Sequence, residues 1–119
     1  MPSAGRPPPN LDRGRWGEDV AAAWYECHGY EIVARNWRSR TGEIDLVARR
    51  GRQLVVAEVK ARRTDAYGPA AAAVGAAKQR RLRRLAAEWL AGSGVRGVEV
   101  RFDVVAVTGA RIEVVVAAF

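Results

Sequence analysis

At 119 residues, 49% of them apolar, the chain has material for one domain with a modest core. A single cysteine rules out an intramolecular disulfide, and no stretch approaches the ~20 apolar residues that a bilayer crossing requires. The net charge of +7 points to a polyanionic partner, because Lys and Arg neutralising phosphates dominate non-specific nucleic-acid affinity, although solubility is the plainer reading of the same number.

Residues 1–11, with Pro7-Pro8-Pro9 and no periodicity, read as a disordered tail ahead of one domain over 12–119. The tail has no apolar run of the kind a signal peptide or anchor needs, so a reducing, cytoplasmic setting is expected. A helix is predicted to begin between Asp12 and Gly14 and to stop at Gly29. Its large apolar residues, Trp16, Val20, Trp24 and Cys27 with Ala23, form one stripe, which makes Cys27 a buried, inert thiol. Glu18 lies opposite that stripe, beside Ala22 and Tyr25, and so faces solvent or a second contact surface. His28, next to the helix-ending glycine, reads as a cap-region residue.

Three strand-like runs follow, over residues 30–37, 43–49 and 53–62, separated by Arg40-Thr41-Gly42 and Arg50-Gly51. After Tyr67-Gly68-Pro69, a second helix is expected over 76–91, closed by Gly92. Strands over 98–107 and 111–117, joined by Gly109-Ala110, complete the order α-β-β-β-α-β-β. The expected class is α/β, a mixed five-stranded sheet flanked by helices. Trp16, Trp24 and Trp89 are read as core, and so is Trp37, although its position near Arg38 and Arg40 would also suit stacking on an unpaired base. Arg101 and Asp103 alternate with Phe102 and so face away from it, with an ion pair to the helix or sheet expected.

The chemistry-bearing residues concentrate on the second and third strands. Side chains alternate with period two, so Glu43 and Asp45 share one face of their strand, and Glu58 and Lys60 share one face of theirs. A two-residue turn at Arg50-Gly51 sets Asp45 opposite Val56 and Glu43 opposite Glu58, which brings Asp45, Glu58 and Lys60 to a common face. Adjacent carboxylates repel unless a cation sits between them, and hard oxygen ligands suit Mg²⁺ or Mn²⁺. One His and one Cys cannot build a zinc site rich in nitrogen and sulfur. The plainer reading is a strand-surface ion pair, Glu58–Lys60. Of twenty basic residues only Lys60 and Lys78 are lysines. Lys78 falls on the stripe of Leu82, Leu85 and Trp89, pointing inward as a phosphate contact or a partner for Glu18; a flank lysine reaching solvent is the alternative. Arg80, Arg81, Arg83 and Arg84 make a basic helix face to which Arg35, Arg38 and Arg40 add, either as a nucleic-acid track or as a solvated surface.

The run Gly14-Arg-Trp-Gly-Glu18, then Gly29-Tyr30, Arg35-Asn36-Trp37, Gly42-Glu43-Ile44-Asp45, Glu58-Val59-Lys60, Tyr67-Gly68, Lys78 and Arg101-Phe102-Asp103-Val104-Val105 closely resembles the YraN family. That family is placed in the restriction-endonuclease-like PD-(D/E)XK superfamily, and the order helical Glu, Asp, Glu-x-Lys is also similar to that of archaeal Holliday-junction resolvases. The resemblance implies Asp45 and Glu58 as metal ligands, Lys60 as the catalytic lysine and Glu18 as the helical acid of the metal shell. Ile44 replaces the proline of the superfamily motif, and Ala72 stands where relatives carry an acid. The expectation is a Mg²⁺- or Mn²⁺-dependent endonuclease acting on DNA rather than RNA, on branched DNA if the resolvase likeness holds, which would call for a homodimer. The alternatives are a non-catalytic nucleic-acid-binding module of the same fold and a basic protein that meets an acidic protein partner.

Overall fold

The computed structural model describes residues 13–63, 68–70, 74–109 and 111–119. The tail 1–11, Tyr67, Ala72 and Ala110 lie outside the described residues. The elements are α1 (Arg13–Cys27), β1 (Glu31–Ser39), β2 (Gly42–Arg50), β3 (Gln53–Arg62), α2 (Ala76–Ser93), β4 (Glu99–Thr108) and β5 (Arg111–Val115), in the expected order. They build a five-stranded mixed sheet in which the strands lie in sequence order. Every neighbouring pair is antiparallel except β3–β4, which is parallel and needs the crossover that α2 supplies.

Each helix end has a local cause. Gly29 (φ 86°) closes α1 in a Schellman arrangement, with Tyr30 N–H donating to Tyr25 O at 3.0 Å and Gly29 N–H to Glu26 O at 3.1 Å. The Tyr25 and Tyr30 rings complete it with an edge contact at 5.3 Å. Helix α2 runs one turn-fraction past the expected Gly92 and ends at Gly94, which takes the left-handed φ of 76°. The β2–β3 turn is Gly51-Arg52, one residue later than expected, because Gly51 holds φ 59° and Arg50 pairs with Gln53.

The sheet is covered on both faces. On one, Leu82, Leu85, Ala86 and Trp89 of α2 pack over Val47, Leu54, Val56, Phe102 and Val104. Fully burying each leucine contributes about 1.5–3 kcal/mol. On the other, Ala21, Ala22 and Tyr25 of α1 pack over Leu46, Ala48, Val55, Ala57, Val105 and Val107. The inner face of α1 is therefore not the stripe of large residues: Trp16 and Trp24 flank it half-buried, and Cys27 is exposed rather than buried. Small residues win because the helix sits close to the strands. A Cβ at Gly17 would lie 2.8 Å from the Ala61 Cβ. Gly17→Ala is accordingly expected to destabilise the fold by about 1–3 kcal/mol from overpacking, less up to ~1 kcal/mol of helix propensity, measured by thermal denaturation. Equal or higher stability would show that α1 can back away at no cost.

Asp103 is fully buried, and its carboxylate accepts from Tyr25 Oη at 2.6 Å, from Arg101 Nε and Nη2 at 2.9 Å each, and from Ala117 N–H at 3.0 Å. Asp103 meets α1 through Tyr25, but its ion pair is with Arg101 on its own strand, and the cluster is an internal anchor that ties α1 to β4 and the C-terminal segment. Burial, then the carboxylate, drives the Tyr25 hydroxyl far above its ordinary value, so it stays a donor.

Candidate acid and lysine site

Strict alternation would put Ile44 and Leu46 on one face of β2. Instead Ile44 joins the core under α2, whereas Leu46 and Ala48 join the core under α1. The strand changes faces at Asp45. On β1, Arg35 (opposite Leu46) reaches Asp19 of α1 at 2.6 Å, while Trp37 (opposite Ile44) packs into the core under α2. Between them Asn36 adopts φ 52°, left-handed backbone that a non-glycine residue takes at a cost of about 1–2 kcal/mol. Both strands of this hairpin thus turn at one level, and Asp45 stands at the turn-over.

That placement joins elements from both layers. One carboxylate oxygen from each of Glu18 (α1), Glu43 and Asp45 (β2) lies within 4.8 Å of the others, the spacing of ligands that could share an ion. Asp45 Oδ2 also accepts from Val59 N–H at 2.9 Å. Carried one step beyond Leu46–Ala57, the ladder sets Asp45 opposite Glu58 rather than opposite Val56. The later turn moved the register by two residues, an even shift that by itself keeps β3 in phase with residues 46–50 of β2. Burial first, then Glu58 and, after it, Glu18 and Glu43, push the Asp45 carboxyl up to about 7, against the pull of the Val59 bond.

Glu58 is 7% exposed and does not belong to the three-acid group. Its Oε1 is held by Lys78 Nζ at 2.9 Å and by Lys60 Nζ at 3.7 Å. Lys78 therefore points inward as expected, but its partner is Glu58 and not Glu18. Burial and the neighbouring Lys78 lower Lys60 below the ordinary lysine value. Burial works against Lys78 too, yet the bond to Glu58 outweighs it and holds that ammonium above its ordinary value. Of the expected acids, Glu18 and Asp45 come together directly and Glu58 adjoins them through Asp45. Glu43, which sequence reasoning left without a role, completes the group.

Arg80, Arg81, Arg83 and Arg84 are all exposed on α2, and Arg38 and Arg40 are exposed on the β1–β2 hairpin. Arg81 lies along the start of β2, since its Cδ would be 3.3 Å from a Cβ at Gly42. The helix face and the hairpin are thereby contiguous, with Lys78 at the inner end. Several of these cations are engaged within the chain. Arg38 pairs with Glu43 at 3.1 Å, and Arg83 lies over the stacked Phe102 and Phe119 rings at 5.0 and 5.5 Å. Arg35, expected on the same track, is engaged with Asp19. His28 keeps its capping role, with Nδ1 on Trp24 O at 2.7 Å and its ring stacked on Trp24. Among the described residues, no helix is long and apolar enough to cross a membrane.

The family model described as "Uncharacterised protein family UPF0102" matches residues 17–107, a span that contains all six acids and lysines of the site. The UPF0102 protein of Rhodococcus jostii is 56% identical over 98 residues, covering 82% of this chain and 83% of that protein. That of Geobacter sulfurreducens is 50% identical over 92 residues, covering 77% and 72%. That of Syntrophus aciditrophicus is 45% identical over 114 residues, covering 92% and 90%. With three quarters of its length in the family match and relatives at this identity, the chain belongs to the UPF0102 family, in line with the YraN-like reading of its motifs.

Proposed function

We propose that this protein is a metal-dependent endonuclease of the restriction-endonuclease-like PD-(D/E)XK kind, acting on DNA phosphodiesters, with branched DNA as its favoured form. The observation that carries the reading is the meeting of three carboxylates within 4.8 Å beside a lysine-clasped Glu58, at the inner end of a basic helix face. The donor set is all oxygen and partly desolvated, with one member pushed up to about 7 by burial and by its neighbouring acids, which fits Mg²⁺ or Mn²⁺. A bound ion would acidify a water and neutralise charge on the scissile phosphate.

The chain's own residues divide the remaining work. Glu18, Glu43 and Asp45 hold the ion, with Glu58 adjoining. Lys60, the lysine drawn below its ordinary value, faces the attacking water, and Lys78 meets charge that develops on the phosphate. Arg80, Arg81 and Arg84, with Arg40, run along the strand's backbone and set its position, not its sequence preference. Cutting both strands of a junction needs two such sites and hence two copies of the chain. A chain with one exposed thiol and no disulfide suits the cytoplasm.

One observation favours a second reading, a nucleic-acid-binding module without turnover: Glu58 is already neutralised by two lysines. Titration calorimetry of Mg²⁺ and Mn²⁺ into the protein, with branched DNA resolved on a gel, separates the two. Metal uptake with strand cleavage supports the enzyme. DNA binding with neither supports the module. In both cases log affinity falls linearly with log salt, by roughly 0.9 per phosphate contacted on duplex DNA, and a flat response would sink both.

A further inference from the structure

Beyond Lys60, the charged row on β3 continues. Glu58, Lys60 and Arg62 occupy alternate positions of the strand, opposite Val104, Ala106 and Thr108 of β4. Glu113 and Arg111 of β5 lie beyond Ala106 and Thr108. A cavity of about 510 Å³ opens here, lined by Arg62, Thr108, Arg111 and Glu113 and bordered by Gly68 and Pro69. It is of the size that small-molecule sites have, with room for a nucleotide rather than only an oxyanion.

Arg62 is the unusual member. Its side chain is 11% exposed, and a guanidinium taken that far from water normally meets a carboxylate. Among the described residues its hydrogen bonds go to neutral oxygens, Gly68 O at 2.7 Å and Thr108 Oγ1 at 3.3 Å. The nearest paired carboxylate, Glu113, is 3.9 Å away and 58% exposed, so solvent screens it. A nearly buried cation beside open volume, whose counter-charge among the described residues is distant and screened, is a site for an anion. Two strand residues advance the chain by about 6.6 Å, comparable to the step between successive phosphates of a nucleic-acid strand.

We propose that the Arg62 cavity is a subsite for a phosphate of the nucleic-acid strand, the next one along from the scissile phosphate at the acid and lysine site. Arg62 holds the phosphate by charge-assisted hydrogen bonds, Thr108 steadies the guanidinium, and the attached nucleotide fills the remaining volume. The assignment rests on the nucleic-acid reading above, and its test keeps the two apart.

The Nε–Hε resonance of Arg62 would be followed by NMR in the full chain during titration with three probes. These are inorganic phosphate, a single-stranded oligonucleotide with a 5′-hydroxyl, and the same oligonucleotide with a 5′-phosphate. The expected result is a saturable shift with phosphate and with oligonucleotide. Equal binding of the two oligonucleotides assigns the subsite to an internal phosphodiester, and a gain with the 5′-phosphate assigns it to a strand end. In parallel, Arg62→Gln should weaken oligonucleotide binding on the order of tenfold and lower the salt slope by about 0.7. Glu113→Gln, which leaves every cation in place, should tighten binding about two- to five-fold. Arg62→Lys guards against misfolding of the Gln variant and should recover part of the slope. An Arg62 resonance that stays still under phosphate and oligonucleotide overturns the subsite, as do folded Arg62 variants with wild-type affinity and slope. Steep, salt-dependent oligonucleotide binding with a silent Arg62 removes only the subsite. A phosphate-induced shift without oligonucleotide binding keeps an anion cavity and removes the nucleic-acid reading.

Discussion

Asp45→Asn is expected to abolish metal-dependent strand cleavage and, at the same time, to stabilise the fold above neutral pH. Both effects follow from one cause. The Asp45 carboxyl is pushed from 3.8 to about 7 by burial and by Glu58, with Glu18 and Glu43 adding to the repulsion. Between those two pH values the folded chain holds a proton that the unfolded chain has released. The unfolded state thus binds fewer protons, and stability falls as pH rises across the window. Below about pH 4 the two states are protonated alike and the penalty is absent; above about pH 7 it is complete, a few kcal/mol at most.

Asparagine keeps a carbonyl oxygen that can accept from Val59 N–H but carries no charge. At pH 8 the variant should therefore melt several degrees above the wild type, with the two converging as pH falls toward 4. Mg²⁺ or Mn²⁺ added to the wild type should close the gap, because an ion that binds only the folded site stabilises it by mass action. Cleavage by the Asn variant would remove Asp45 from the catalytic set. Identical melting at pH 8 would show that the acid group is already neutralised from within the chain.

Asp103→Ala is expected to cost about 3–5 kcal/mol, a fall in Tm of roughly 10–20 °C. The aspartate is fully buried and accepts four hydrogen bonds. Its removal strands the Arg101 guanidinium, whose side chain is 18% exposed, and the buried Tyr25 hydroxyl. Losing one partner of a desolvated pair costs more than the pair contributes, since the remaining charge keeps its desolvation penalty. Tyr25→Phe provides the contrast. It deletes a single donor, leaves Arg101 bound, and should cost only about 1–2 kcal/mol. Circular dichroism melts of the two variants check the order. A Tm for Asp103→Ala within a few degrees of the wild type would mean that water reaches this network. Because Tyr25 lies seven residues beyond Glu18 on the inner face of α1, loosening this anchor should also weaken metal binding at the acid group.

The arrangement of the site shows what kinds of information the chain carries locally. Helix ends, turns and strand phases are short-range matters of glycine dihedrals and period-two patterning, and they were readable at Gly29, Gly51 and along residues 53–62. Parity is robust in the same way. The β2–β3 turn lies one residue later than read, yet the register moved by two, so Glu58 and Lys60 stayed on one face. The acid–lysine set could be recognised for that reason, even though Asp45 was given the wrong neighbour.

Other features depend on distances that a linear pattern does not hold. The inner face of α1 is built from Gly17, Ala21, Ala22 and Tyr25 because the helix lies close to β3, and close approach favours small residues over the most apolar ones. Cys27 is exposed for the same reason. Asp45 leaves the single face expected of it, since β1 and β2 change faces together at Asn36, which holds φ 52°, and at Asp45. Lys78 chose Glu58 over Glu18 because α2 and α1 cover opposite faces of the sheet, which places Glu58 on the lysine's side. The amino-acid order was sufficient for the elements and for the parity of Glu58 and Lys60. Which acids meet, which lysine clasps which carboxylate, and which arginine is left beside a cavity came from packing two helices against a twisted sheet, where contact is set by three-dimensional fit between residues far apart in the chain.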